Sequence, residues 1–111
     1  MDYRLKKEKD FNIVFKKGKR IFSSNLTLIY FPAKELKVGY AVSKKHGGSV
    51  KRNRIKRILR ESFRSFIPCL GKNFFFVFIP KVQETYDFFE IKRDMEYILK
   101  KGNFFLNNKD A

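Results

Sequence analysis

Between Ser43 and Arg64 the chain reads SKKHGGSVKRNRIKRILRESFR, nine cations against one acid. This composition suits the holding of phosphate. A guanidinium can grip a phosphate through two parallel hydrogen bonds, which a lysine point charge does not do. Arginine dominates here, as Arg52, Arg54, Arg57, Arg60 and Arg64, accompanied by Lys44, Lys45, Lys51 and Lys56. Asn53 adds an amide that both donates and accepts. Gly47 and Gly48 let the backbone approach a ligand closely, and the first turn of a helix opening after them offers free N–H groups to an anion.

At about 100° per residue, Asn53, Lys56, Arg57, Arg60 and Arg64 gather on one side of that helix, while Ile55, Ile58, Leu59 and Phe66 gather on another. A face meant only for solvent mixes Lys with Glu. This one places like charges three and four residues apart, at a cost of a few tenths of a kcal/mol per pair. Phosphates remove that repulsion. With about six of these cations on phosphates, affinity should fall by roughly three to five decades between about 50 and 200 mM salt.

Other chemistries have less behind them. The single histidine, His46, has no second histidine or cysteine cluster to share a metal and is expected to face solvent in the loop, near phosphate. Cys69 is the only cysteine, which excludes an internal disulfide and any paired-cysteine motif; it is read as a packing residue. Metal-dependent hydrolysis by a protein needs carboxylates converging on cations. The acids here are scattered and cluster mainly in the last helix, at Glu84, Asp87, Glu90, Asp94 and Glu96, where they read as caps and solvated helix faces. No catalytic residue and no metal ligand is expected in the protein.

The whole chain carries the same bias. Lys and Arg number 26 against 11 Asp and Glu, for a net charge of +15, which calls for a polyanionic partner. The longest apolar run, Phe74 to Ile79, is far short of the roughly 20 residues a spanning helix needs. The charged stretch from Met1 to Lys9, with no apolar segment after it, does not read as a secretory signal. A cytoplasmic location without membrane association is expected. The 111 residues suit one domain, and 14 Phe and 5 Tyr supply a core.

Elements follow from periodicity. Phe11, Val14 and Phe15 at i, i+3 and i+4 predict a helix over 8–17, stopped by Gly18. Residues 21–31 are β-branched and aromatic and predict a strand. Residues 36–42 predict its hairpin partner, with Val38, Tyr40 and Val42 on one face and the small Gly39 and Ala41 on the other. A loop over 44–49 leads into the basic helix, 50–67, ended by Pro68. Residues 73–79 are apolar on both faces, as in a central strand. A last helix spans 88–101, opened by Asp87 and Glu90 in capping-box-like spacing, with Gly102 beyond it and 103–111 a frayed tail. The order predicts an α+β sandwich, with helices against a mixed sheet.

The segments GYAVSKK (39–45) and VKRNRIKRILRE (50–61) closely resemble the signature of the bacterial ribonuclease P protein family, and Asp10, Phe11, Val14, Phe15 and Gly18 are similar to its first helix. The resemblance spans nearly the whole chain. It implies an αβββαβα fold with a four-stranded mixed sheet and a left-handed βαβ crossover, the rare hand for such connections. A third strand before the basic helix would then come from a split of 21–31 or a bend in 36–42. The signature positions Lys44, Lys45, Arg52, Asn53, Arg54, Lys56, Arg57 and Arg60 would contact the catalytic RNA near the tRNA cleavage region, with Lys51 and Arg64 extending the set.

The resemblance also implies a cleft between the first helix and the sheet that holds the single-stranded 5′ leader of precursor tRNA. Phe11, Phe15 and Tyr30 are its candidates, with Ile29 an alternative to Tyr30. For the two phenylalanines, core packing against the sheet is an equal reading. The implied function is that of a non-catalytic protein subunit of ribonuclease P. It assists Mg²⁺-dependent removal of the leader and broadens the substrate range, with Mg²⁺ bound mainly by the RNA and no obligate protein partner. Composition alone also fits a ribosomal or structural RNA-binding protein.

Overall fold

The computed structural model describes residues 2–106. Its elements are α1 (Glu8–Lys17), β1 (Lys19–Phe22), β2 (Leu26–Pro32), β3 (Lys37–Tyr40), α2 (Ser49–Arg64), β4 (Phe74–Pro80) and α3 (Phe88–Lys101). The outer helices have the expected bounds. The third early strand arises by a split: Ser23–Asn25 turn the chain, so that β1 and β2 pair antiparallel.

The sheet order is β1-β2-β4-β3, with β4 antiparallel to β2 and parallel to β3. The expected hairpin of β3 with the preceding strand does not form, because β4 inserts between the two. Its run FFFVFIP is apolar on both faces, and each face is covered by a packed layer, as suits a strand inside the sheet. The β2–β3 turn wraps the start of β4, where Ala33 N donates to Asn73 O and Asn73 Nδ2 donates to Lys34 O.

Strict alternation then sorts the side chains into two layers. Leu26, Leu28, Val38, Phe76 and Phe78 join Ile55, Leu59 and Phe63 of α2 and Ile91, Met95, Ile98 and Leu99 of α3 in the main core. On the opposite face Ile29 and Val77 pack under Val14 of α1 together with Leu5, flanked by Phe11, Phe31 and Phe75. The small face of β3 has a defined use. A Cβ on Gly39 would lie 2.5 Å from the Phe11 ring, so this glycine lets the ring rest directly on the strand. The outer edge of β3 is covered by the N-terminal segment, with Leu5 N donating to Val38 O and Val38 N to Tyr3 O, which protects an otherwise open edge.

Two other expectations change. The basic helix ends at Arg64, short of Pro68, because Ser65 Oγ donates to Ser62 O at 2.7 Å and competes with the helical bonds. Its apolar stripe is completed by Phe63, while Phe66 is buried in the turn that follows. The tail is also not frayed from Asn103. Phe104 is buried, its ring 4.8 Å from Tyr30 and 5.0 Å from Phe76, and Phe105 bridges Leu70. Residues 107–111 of that expected tail lie outside the described residues.

Candidate nucleic-acid interface

The core requirement of α2 orients its charges. With Ile55, Leu59, Ser62 and Phe63 turned inward, Asn53, Arg54, Lys56, Arg57, Arg60 and Arg64 are all exposed. Among the described residues Arg57 is the only cation of α2 in an ion pair, with Glu61 at 3.6 Å across one exposed turn, a contact of little energetic weight. The like-charge face expected from the sequence is therefore present and largely unneutralised.

Two candidates sit at its border. Lys51 and Arg52 lie beside the apolar stripe and are half-buried. Lys51 leans away toward the loop before α3, with Nζ 3.4 Å from Gln83 O and over the Tyr86 ring. Arg52 has its Nε enclosed without a hydrogen-bond partner, so only its terminal nitrogens are placed to meet a ligand.

Lys44 and Lys45 are exposed on a short helical turn that precedes α2. His46, on the same turn, does not face solvent as expected: it is buried, 5% exposed. Its Nε2 lies 2.8 Å from Pro80 O, and its Nδ1 accepts from Ser43 N at 3.0 Å. A carbonyl can only accept, so Nε2 donates to Pro80 O, while Nδ1 accepts from Ser43 N–H. The ring pins the two lysines to the end of β4. Replacing His46 by Ala is expected to cost about 1–3 kcal/mol, because Ser43 N–H and Pro80 C=O lose a partner. Urea unfolding at wild-type midpoint would contradict this role.

On the α1 face the two aromatic candidates separate. Phe11 is half-buried over Gly39, whereas Phe15 is 39% exposed, with Lys16, Lys17, Lys19 and Arg20 exposed beside it in sequence. Tyr30 is a correction. Its ring packs edge-on against Phe74 and Phe104 on the α2–α3 face, because alternation along β2 turns Tyr30 one way and Ile29 the other. Ile29 faces α1 but is fully covered. Phe31 and Phe75 are the half-buried sheet rings on the α1 face, a feature that β-register alone could have predicted.

Cys69 is exposed and not packed; it lies on a tight turn whose carbonyl accepts from Leu106 N at 2.7 Å. Three of the five clustered acids are committed to partners. Asp87 caps α3 by accepting from Glu90 N, Asp94 accepts from Asn25 N at 2.8 Å, and Glu96 pairs with Lys100. No helix among the described residues is long and apolar enough to cross a membrane.

Comparison with known proteins gives a consistent result. The family model described as Ribonuclease P matches residues 1–103. The ribonuclease P protein component of Clostridium beijerinckii is 38% identical over 98% of this chain and 95% of its own length, and that of Lactococcus lactis is 33% identical over 97% and 94%. Among solved structures, the Staphylococcus aureus RNase P protein superposes with a TM-score of 0.84 at 28% identity, covering 96% of this chain and all of that one. The Thermotoga maritima protein gives 0.79 at 28% identity, over 88% and 96%.

Proposed function

This chain belongs to the ribonuclease P protein family, and from that premise we propose that it binds ribonuclease P RNA through α2 and the Lys44–Lys45 turn, and the 5′ leader of precursor tRNA through the α1 face. The general role of the family is tRNA processing, as a subunit of an endoribonuclease holoenzyme. The observation that carries the reading is the exposed cationic face of α2, built by the fold and left largely without counter-charge, Arg57 alone being paired among the described residues. Its arginines can take phosphates bidentately. In this reading hydrolysis belongs to the RNA subunit and the Mg²⁺ it binds, while in the protein Asp87 caps α3, Asp94 accepts from Asn25 N and Glu96 pairs with Lys100.

The contribution of the protein is then electrostatic and geometric. Bringing a polyanionic substrate to a polyanionic catalyst is opposed by repulsion, which cations placed between them reduce. Phe15 offers an accessible ring for a leader base, a contact typically contributing about 1–3 kcal/mol, while Phe11 holds α1 on the sheet. Less Mg²⁺ is needed for the same occupancy of substrate, weaker substrates are brought within range, and the assembly works in the cytoplasm.

The test is leader cleavage of a precursor tRNA under multiple turnover at low Mg²⁺, with protein alone, ribonuclease P RNA alone, and both. Stimulation only in the mixture is expected. Cleavage by the protein alone would overturn the division of labour. RNA binding without any stimulation would favour a structural RNA-binding role.

A further inference from the structure

On the opposite flank of the sheet from α1, the N-terminal segment, β3 and the C-terminal half of α2 enclose a cavity of about 420 Å³, within the range of small-molecule sites. Its floor is apolar, made by Val38, Tyr40, Phe63 and Ile67, and its mouth carries Arg4, Arg60 and Arg64 beside Asp2 and Tyr3. The Asp2 carboxylate is engaged by Lys6 at 2.8 Å and Arg4 at 3.3 Å. Arg60 and Arg64 have no acidic partner among the described residues and are exposed at the mouth.

Tyr40 supplies a polar group within this apolar surround. Burial pushes its phenol well above the ordinary range, against the pull of the nearby Arg60 and Arg64, so it remains a neutral hydroxyl. A bare phosphate would satisfy the arginines and leave the apolar floor wet. A purely apolar ligand would cover the floor and leave the guanidinium groups unused. A flat heteroaromatic ring carrying a phosphate uses both, with the ring against Tyr3 or Tyr40 and an edge within reach of the Tyr40 hydroxyl.

Position selects among sources of such a group. Arg60 and Arg64 are the C-terminal members of the exposed cation face of α2, so a strand lying along that face runs to the mouth of the cavity. We propose that this cavity takes one unpaired nucleotide of the RNA bound on α2, base inward and phosphate on Arg60 and Arg64. The proposal rests on the RNA-binding reading above and adds to it a base-accepting subsite away from the α1 face.

The first arm of the test titrates the ¹⁵N-labelled full chain with adenosine 5′-monophosphate and, separately, with inorganic phosphate. The nucleotide is expected to move the Val38, Tyr40 and Phe63 signals, and phosphate alone is not. Tyr40→Phe, which keeps the ring and its packing, should weaken nucleotide binding by about threefold to tenfold, the loss of one hydrogen bond. Equal responses to nucleotide and phosphate, or nucleotide shifts confined to the α1 face, would overturn the subsite.

The second arm cross-links the complex with ribonuclease P RNA by ultraviolet light and maps the modified residues. Cross-links at Tyr3 or Tyr40 place an RNA base in the cavity. If the complex forms at full affinity without them while the free nucleotide binds, the site takes mononucleotides and the RNA assignment is wrong. If no complex forms, the RNA-binding reading itself is lost, and the subsite with it.

Discussion

Alanine at Arg54, Lys56 and Arg57 together is expected to lower affinity for ribonuclease P RNA by about two to three decades at 0.1 M salt and to flatten the log–log salt dependence by about two to three. The estimate takes each cation as one neutralised phosphate. Each contact contributes about 0.7–0.9 to the slope, and the counterion-release term vanishes near 1 M salt. The three residues are exposed, and only Arg57 has an ionic partner, on the surface. Alanine is also the best helix former, so α2 should persist. Filter binding across a salt series, with a thermal melt to verify folding, measures both quantities. An unchanged slope with a folded triple variant would remove α2 from the interface.

The largest effect on stability is expected at Phe76, where truncation to Ala should cost about 3–5 kcal/mol. Phe76 lies on the central strand with no exposed surface. Its ring is 5.7 Å from Phe63, 5.0 Å from Phe104 and 6.4 Å from Phe78, so the cavity would open where α2, the sheet and the C-terminal segment meet. Native domains have only about 5–15 kcal/mol in hand, and such a loss would bring the chain close to unfolding. Phe89→Ala, at a position 75% exposed, should stay within about 0.5 kcal/mol. Urea unfolding of the two variants decides, and equal midpoints would contradict the placement of the core.

The burial of Phe104 bears on the same junction. Asn103 adopts a φ of 60°, a left-handed conformation that Asn tolerates better than most residues. The reversal lets the chain fold back after α3, with Gly71 N donating to Phe104 O. A segment that composition suggested was loose thus closes one end of the main core.

What the sequence by itself determined is what is encoded over one or two turns of chain. Phe11, Val14 and Phe15 followed by Gly18, and Asp87 followed by an apolar stripe ending at Gly102, define α1 and α3, because helix periodicity and caps involve residues three or four apart. The two-sided apolar run of β4 fixed its central place, and the crowding of cations on one side of α2 was legible from about 100° per residue.

Tertiary structure alone decided matters that depend on distant partners. That β4 separates β2 from β3 involves strands some 45 residues apart, joined by pairing that no local pattern specifies. His46 is buried because the Pro80 carbonyl is there to accept a hydrogen bond from its ring. Tyr30 turns away from α1 because register, which a one-residue slip reverses, places Ile29 there. Arg52 is half-buried, and Tyr40 shares a cavity with Arg4, Arg60 and Arg64, only because α2 and the N-terminal segment meet at one edge of the sheet. Local patterning chose the charges; long-range packing chose which of them are free to meet a ligand.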